Sequence, residues 1–345
     1  MTNSQNKRRG RRILWAVLAS VSAAAVLAAG LYGWLYIRGR EQLFDKGSAI
    51  SAPDEVVQED ENTVVYNGVT YRYNDAVTAT LVMGVDKQDI QVQEGVGGNG
   101  QADCLFLAVM DTRNGTTHML PISRETMVDV DRYAQDGTYL GSQKTQLCLA
   151  YAHGETAQAS CENVVRSVSR LLYGMPINSY LAIDMAGFKA LTKAVGGVTL
   201  TALEDIPAYE GFVVRKGQTI TLNGDQAQAY IQNRGQDVEA NNRRMVRQKQ
   251  FVEAFIGTAG KQLKKDFTKL TSYYTAAKPY VVSNLTLSQI TYLATQALAG
   301  NAWQSIAYAS ITGETVMGEE HVEFYADSTA VYEAVLKAFY IPDET

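Results

Sequence analysis

The sequence predicts an α/β protein: a three-layer α/β/α domain with a central mixed sheet, preceded by one N-terminal transmembrane helix. Three observations lead there. Residues Ile13 to Ile37 carry no charge. Beyond them, short apolar runs end in Gly or Asp, as buried strands do; "ATLVMGVD" (Ala79–Asp86) is the first. Then "NSYLAID", "MAGFKALTKAVGG" and "VTLTA" follow one another from Asn178 to Ala202. That is a strand–helix–strand unit of the kind that builds layered folds.

Taken in chain order, residues 1–12 hold Lys7, Arg8, Arg9, Arg11 and Arg12 and no acid, a charge of +5. The whole chain is −5, so the remainder is −5 − 5 = −10. So acidic a body disfavours nucleic acid as a partner, because duplex binding rests on phosphate neutralisation. The run Ile13–Ile37 is long enough to cross a bilayer core of about 30 Å at about 1.5 Å per residue. Trp15, Tyr32, Trp34 and Tyr36 sit near its ends, where aromatic belts form. The basic cluster precedes the run, which places residues 1–12 in the cytoplasm and the rest outside the cell membrane, held by a single-pass anchor. A cleaved signal peptide is the alternative, disfavoured by the length of the apolar run.

Residues 38–74 read as an extracytoplasmic linker ending in a hairpin around "VVYNGVTYRY", with Asn67-Gly68 at the turn. Residues 75–345 read as the domain, with its core motifs in 79–255. Asp103–Asp111 and Thr116–Ser123 are further strands, joined by "TRNG". That turn puts Asp103 and Ser123 at the same end of adjacent strands, with Arg124 directly after. Lys144–Gly154 and Cys161–Gly174 read as helices stopped by Gly. "GQTITLNGDQAQAYIQ" reads as a strand and then a helix capped by Asn223. A long helix starts near Ala240 and passes Phe255. The tail adds helix, strand and helix.

Cys104, Cys148 and Cys161 make an odd count with no CxxC, so neither a disulfide framework nor a zinc site is indicated, although a Cys148–Cys161 bridge stays open. His118, His153 and His321 are scattered. The chemistry-bearing residues are carboxylates and arginines. Asp86 ends one strand and Asp103 begins the next. Two acids at one sheet edge suit an oxygen-ligated divalent cation, Mg²⁺ above all; strand-end capping is the plain alternative. The stretch "GVGGNGQAD" between them reads as a flexible loop, without a GK[ST] or GxGxxG phosphate signature. Arg124 leaves a buried strand at that same edge and must be paired or used; pairing with Glu125 or Asp129 is the alternative to a site role. On the long helix, Arg244, Arg247, Gln248 and Phe251 share one face. Guanidinium groups there suit phosphate oxygens; a solvated basic face is the alternative.

"LVMGVD", "QADCLFLAVMD", "MLPISRETMV", "LAYAHGE", "LLYGMPINSYLAIDMAGFKALTKAVGGVTL", "LNGDQAQAYIQNR" and "NNRRMVRQKQF" occur in this order over about Ala79 to Phe255. In that order and spacing the chain resembles the LytR–CpsA–Psr family of membrane-anchored bacterial envelope enzymes. The resemblance implies a phosphotransferase. Its substrate would be a polyprenyl-pyrophosphate-linked glycopolymer, such as wall teichoic acid or capsule, moved to peptidoglycan through a phosphodiester. It implies Mg²⁺ on Asp86 and Asp103, and a pyrophosphate held by Arg124, Arg234, Arg244, Arg247 and Gln248, with the four arginines catalytic. It also implies an isoprenoid tail in an apolar cavity. The chain departs from the family pattern at Ser123 and Glu125, which replace Pro and Asp beside Arg124. Gln232 replaces an arginine, Asn241 stands for Asp, and Cys148 for Asn. A lipid-binding or regulatory protein of the same fold, the "transcriptional attenuator" reading, is the alternative function.

Overall fold

The computed structural model describes residues 24–43, 57–60, 62–207, 213–233, 235, 237, 239–301, 303–304 and 306–343. The basic tail, residues 13–23 of the expected anchor, linker residues 44–56 and Arg234 lie outside them. Residues 24–43 form a helix, α1. Among the described residues no helix is long and apolar enough to cross a membrane.

Strands β1 (Val57–Asp60), β2 (Thr63–Tyr66) and β3 (Val69–Tyr73) form a small antiparallel sheet. Asn67 (φ 51°) and Gly68 (φ 77°) make the tight turn between β2 and β3, where Gly takes the left-handed backbone without cost. Next come β4 (Val77–Val85), β5 (Ala102–Asp111) and β6 (Thr117–Ile122), all antiparallel neighbours. A ribbon of β7 (Met127–Tyr133) and β8 (Tyr139–Gln146) leads to a 3₁₀ segment at Leu147–His153 and to α2 (Ala157–Leu171). The sequence predicts one helix over Lys144–Gly154. Instead its first residues extend β8, paired to β7, and only the apolar remainder coils.

Strand β9 (Ser179–Ile183) lies parallel to β4, and α3 (Met185–Ala194) follows, capped by the Asp184 side chain. β10 (Val198–Thr201) was expected to return to the sheet. It pairs instead with β13 (Thr219–Leu222) in a separate ribbon, beside the two-residue pair β11 (Ile206–Pro207) and β12 (Val213–Val214). Then come α4 (Gly224–Gln232), α5 (Ala240–Lys265) and α6 (Lys269–Ala277). Asn223 caps α4 with a full capping box, its side chain and Gln226 exchanging hydrogen bonds with each other's backbone. β14 (Val281–Ser283) and β15 (Ala307–Tyr308) complete the central sheet, ordered β14-β9-β4-β5-β6-β15. Its parallel and antiparallel pairs make it mixed, as expected. After α7 (Leu287–Ala299) the tail forms a hairpin of β16 (Gly313–Met317) and β17 (Val322–Ala326) that sequence reading missed. α8 (Ser328–Phe339) and β18 (Tyr340–Pro342) close the chain, β18 pairing with β3.

The two-residue period of the strands sorts their side chains between two environments. Ala79, Leu81, Met83 and Val85 of β4 join Leu105, Leu107 and Val109 of β5 in a dense core with Cys161, Val164 and Val168 of α2. The alternate positions, Val82, Gly84, Cys104 and Phe106, face α3, α4 and α5, where packing is left incomplete. Both faces are covered, which is why these strands read as continuous apolar runs.

Candidate functional site

The C-terminal end of β4, the start of β5, the residue after β6, the end of α4 and the start of α5 converge on an open polar pocket of about 600 Å³. Asp86, Gly100, Gln101, Asp103, Arg124, Gln232 and Arg244 line it. The antiparallel register, with Val85 opposite Ala102 and Leu105 opposite Ile122, forces three of these residues together. Asp86 follows Val85, Asp103 follows Ala102 and Arg124 lies two past Ile122. Gly100 holds φ +87° at the pocket wall, a backbone state other residues rarely adopt.

Asp103 is the hub. Its carboxylate accepts from Arg124 Nη1 at 3.2 Å, with its other oxygen 3.1 Å from the same nitrogen as an ion pair, and lies 3.5 Å from Arg244 Nη1. Arg124 also donates to Gln101 Oε1 and, at 3.2 Å, to Cys148 Sγ. Burial works against the charge on Arg124, but Cys148 and Asp103 outweigh it, and its pKa is raised. Arg244 Nη2 donates to Asn241 Oδ1 at 2.7 Å, and Asn241 Nδ2 donates to Ser123 Oγ at 3.1 Å. Ser123 and Asn241 therefore fit one another. Ser123 supplies an acceptor that proline lacks, Asn241 uses both ends of a neutral amide, and Cys148 rests on Arg124.

The Asp86–Asp103 connection, expected to be flexible, is pinned. Asn99 is buried, accepts from Glu94 N and donates to Gly154 O at 2.7 Å, while Gly97 N donates to Ala152 O at 2.6 Å. Gly95 and Gly97 hold positive φ, 84° and 93°, in this connection.

Beside the polar pocket lies an apolar cavity of about 310 Å³. Four elements border both compartments: Asp86, just past β4, lies near Gly84 of that strand, and Asp103 and Cys104 of β5, Gln232 and Ile231 of α4, and Arg244 and Gln248 of α5 divide in the same way. Phe188, Leu191, Phe251 and Phe255 close the far side. Burial pushes the Cys104 thiol up to about 12, so it is protonated and behaves as an apolar wall group. Burial likewise raises Cys148, and all three cysteines are free, which closes the question of a Cys148–Cys161 bridge.

The structure thus gathers Asp86, Asp103, Arg124 and Arg244. Gln248, expected on the pyrophosphate, lines the apolar cavity instead. Arg247, expected there too, turns away. It donates to the Tyr230 carbonyl at 2.9 Å, to the Asn233 carbonyl and to Glu204, tying the end of α4 to α5 at 2% exposure. The shared helical face was read correctly, since Arg244, Arg247, Gln248 and Phe251 are all buried. A 100° step per residue is enough to send neighbouring members of one face to different partners. Arg234 lies outside the described residues. Among these, no three His, Cys, Asp or Glu side chains cluster as a metal site.

The sequence model of the LytR_cpsA_psr family matches residues 41–338. The chain is 26% identical over 351 aligned residues to a polyisoprenyl-teichoic acid–peptidoglycan teichoic acid transferase, TagV, of Bacillus subtilis (strain 168). That match spans 96% of this chain and 81% of TagV. A TagU of the same description from Bacillus cereus is 29% identical, covering 76% of this chain and 79% of its own length. The crystal structure of B. subtilis TagV superposes with a TM-score of 0.62, covering 76% of this chain and 95% of TagV.

Proposed function

As the chain belongs to the LytR_cpsA_psr family, we propose that it transfers a polyprenyl-pyrophosphate-linked glycopolymer to peptidoglycan, forming a phosphodiester and releasing polyprenyl phosphate. One observation carries this. A charged pocket and an apolar cavity share four structural elements, so a ligand with a diphosphate head and a hydrocarbon tail can occupy both at once. Few other ligand classes need such a junction.

The diphosphate binds against Arg124 and Arg244, whose guanidinium groups suit phosphate oxygens. With both acids ionised, the described pocket residues sum to zero: Asp86 and Asp103 against Arg124 and Arg244. A diphosphate entering such a pocket needs a further cation. Two carboxylates are few for a dedicated metal cage but fit Mg²⁺, which keeps waters and takes its other ligands from phosphates. Asp86 and Asp103 would hold it, and when bound it would neutralise charge on the diphosphate oxygens. Arg124 and Arg244 then part from Asp103 to meet the charge that develops on the transferred phosphoryl group. The cavity holds the tail and keeps the head in register. The basic residues 1–12 and the apolar run 13–37 would anchor the protein in the cell membrane with the domain outside.

Full-length protein in detergent, given a polyprenyl-pyrophosphate disaccharide, peptidoglycan fragments and Mg²⁺, should release polyprenyl phosphate. Arg124→Ala should lower kcat roughly 10²–10³-fold, the usual loss for one transition-state donor. Equal rates in both proteins overturn the transferase reading. A lipid-binding protein without turnover would retain donor and release nothing.

A further inference from the structure

A second polar pocket, of about 570 Å³, lies against Arg124. It is walled by Glu125, Gln146, Asn241 and Asp237, and by Met317, Glu320, His321 and Val322 of the β16–β17 hairpin. It shares Arg124 with the diphosphate pocket and no residue with the apolar cavity. Asn241, on its wall, hydrogen-bonds Arg244, on the wall of the other pocket. Arg124 and the Asn241–Arg244 pair therefore form the partition between the two.

The hairpin is fixed to this wall by backbone-level contacts. Phe324 N donates to the Glu125 carbonyl at 2.9 Å, and Gln146 Nε2 donates to the Val322 carbonyl at 2.6 Å. Thr126 bridges to Phe324 as well. The loop at its tip, with Glu320 and His321, stays exposed.

We propose that this pocket is the acceptor subsite and that it takes a neutral, hydroxyl-rich saccharide segment of peptidoglycan, with the β16–β17 hairpin as its outer wall. The inference rests on the transferase reading. A phosphoryl group held by Arg124 is attacked from the side opposite its leaving group, so the incoming hydroxyl must arrive in space that adjoins the donor pocket without overlapping the lipid. The second pocket meets both conditions through Arg124. Its charge also selects. Glu125 and Glu320 face Arg124 and His321, and Asp237 is already paired with Arg243 at 2.6 Å, so the lining carries no positive excess to draw a diphosphate or a polyanionic donor. Carboxylates and amides accept hydrogen bonds from sugar hydroxyls, while Met317 and Val322 offer apolar contact for a ring face or an N-acetyl methyl.

The test uses two tip substitutions, Met317→Asp and Glu320→Lys, chosen because both side chains are exposed and tolerate change. In full-length protein in detergent, each should raise the KM for a defined peptidoglycan tetrasaccharide at least tenfold and leave the donor KM within twofold. An unchanged acceptor KM, or an equal rise in donor KM, overturns the assignment. Calorimetric titration of the tetrasaccharide alone separates this proposal from the one beneath it. If the chain transfers nothing, saccharide binding that is present in the wild type and lost in both variants still supports the subsite. Absent binding, or equal binding in all three, removes it. Unchanged melting temperatures rule out misfolding as the cause.

Discussion

Arg124 and Arg247 carry the same guanidinium and have opposite fates. Arg124 is held by a carboxylate, an amide and a thiol that a ligand can displace. Arg247 spends its donors on two main-chain carbonyls and on Glu204. Carbonyls cannot leave without unravelling the end of α4, so Arg247 works in the fold, whereas Arg124 stays available to a ligand of the open pocket. Replacing Arg247 with Ala should cost about 1–3 kcal/mol for each carbonyl left unsatisfied. Glu204 is one-third exposed and adds little. The expected result is a lower denaturation midpoint with kcat of the folded fraction changed less than threefold; a kcat loss like that of Arg124→Ala would return Arg247 to the site. Residue type and helical spacing placed both arginines near phosphate. What separates them is which carbonyls lie within reach, and no spacing rule encodes that.

Secondary elements explain why the site stays in one place. Ribbon β7–β8 and helix α2 are tied by Asp131, whose buried carboxylate accepts from Arg166 at 3.0 Å, from Arg170 at 2.7 and 3.1 Å, and from Ser142 at 2.7 Å. Burial alone would raise its pKa, but those hydrogen bonds outweigh it and hold it at about 2, below the ordinary 3.8. Ionised Asp131 therefore stabilises the fold fully above pH 3.8, and that contribution fades as pH falls from 3.8 to about 2. Asp131→Asn should melt lower than wild type at neutral pH, and the gap should close across that window. A gap independent of pH would show that packing, not charge, fastens α2. The element boundaries themselves were largely legible. Asn67-Gly68, the Asn223 cap and the Gly84–Asp86 strand end were visible because their causes are local. Strand β10 and the β16–β17 hairpin were misplaced or missed because their pairing partners are distant in sequence, and pairing decides where a short strand goes.

At the scale of the whole molecule the proposed function turns on a gap in packing. The face of the central sheet opposite α2 meets α3, α4 and α5 without filling the space between, and the unfilled volume opens beside the arginines. A cavity of about 310 Å³ lined by leucine, phenylalanine and valine costs stability that a tighter core would recover. It persists where a hydrocarbon ligand can fill it. Val252→Trp, on the cavity wall, should therefore raise the melting temperature or leave it unchanged, and should raise KM at least tenfold for a long-chain polyprenyl donor. The KM for a donor with a single isoprene unit should move less than threefold. Equal KM changes for both donors would mean that the cavity does not house the tail.

The sequence by itself determined the fold class, the antiparallel edge that brings Asp86, Asp103 and Arg124 together, and the family of envelope proteins it resembles. The first two follow from turns, caps and strand periodicity, all of them short-range effects; the resemblance rests on the order of its motifs along the chain. Tertiary structure alone decided that Arg244 and not Arg247 faces Asp103, that Gln248 borders the apolar cavity, and that a C-terminal hairpin walls a second pocket against Arg124. Those outcomes depend on which surfaces meet after the chain has folded back on itself, and residues more than a hundred positions apart carry no local mark of their meeting.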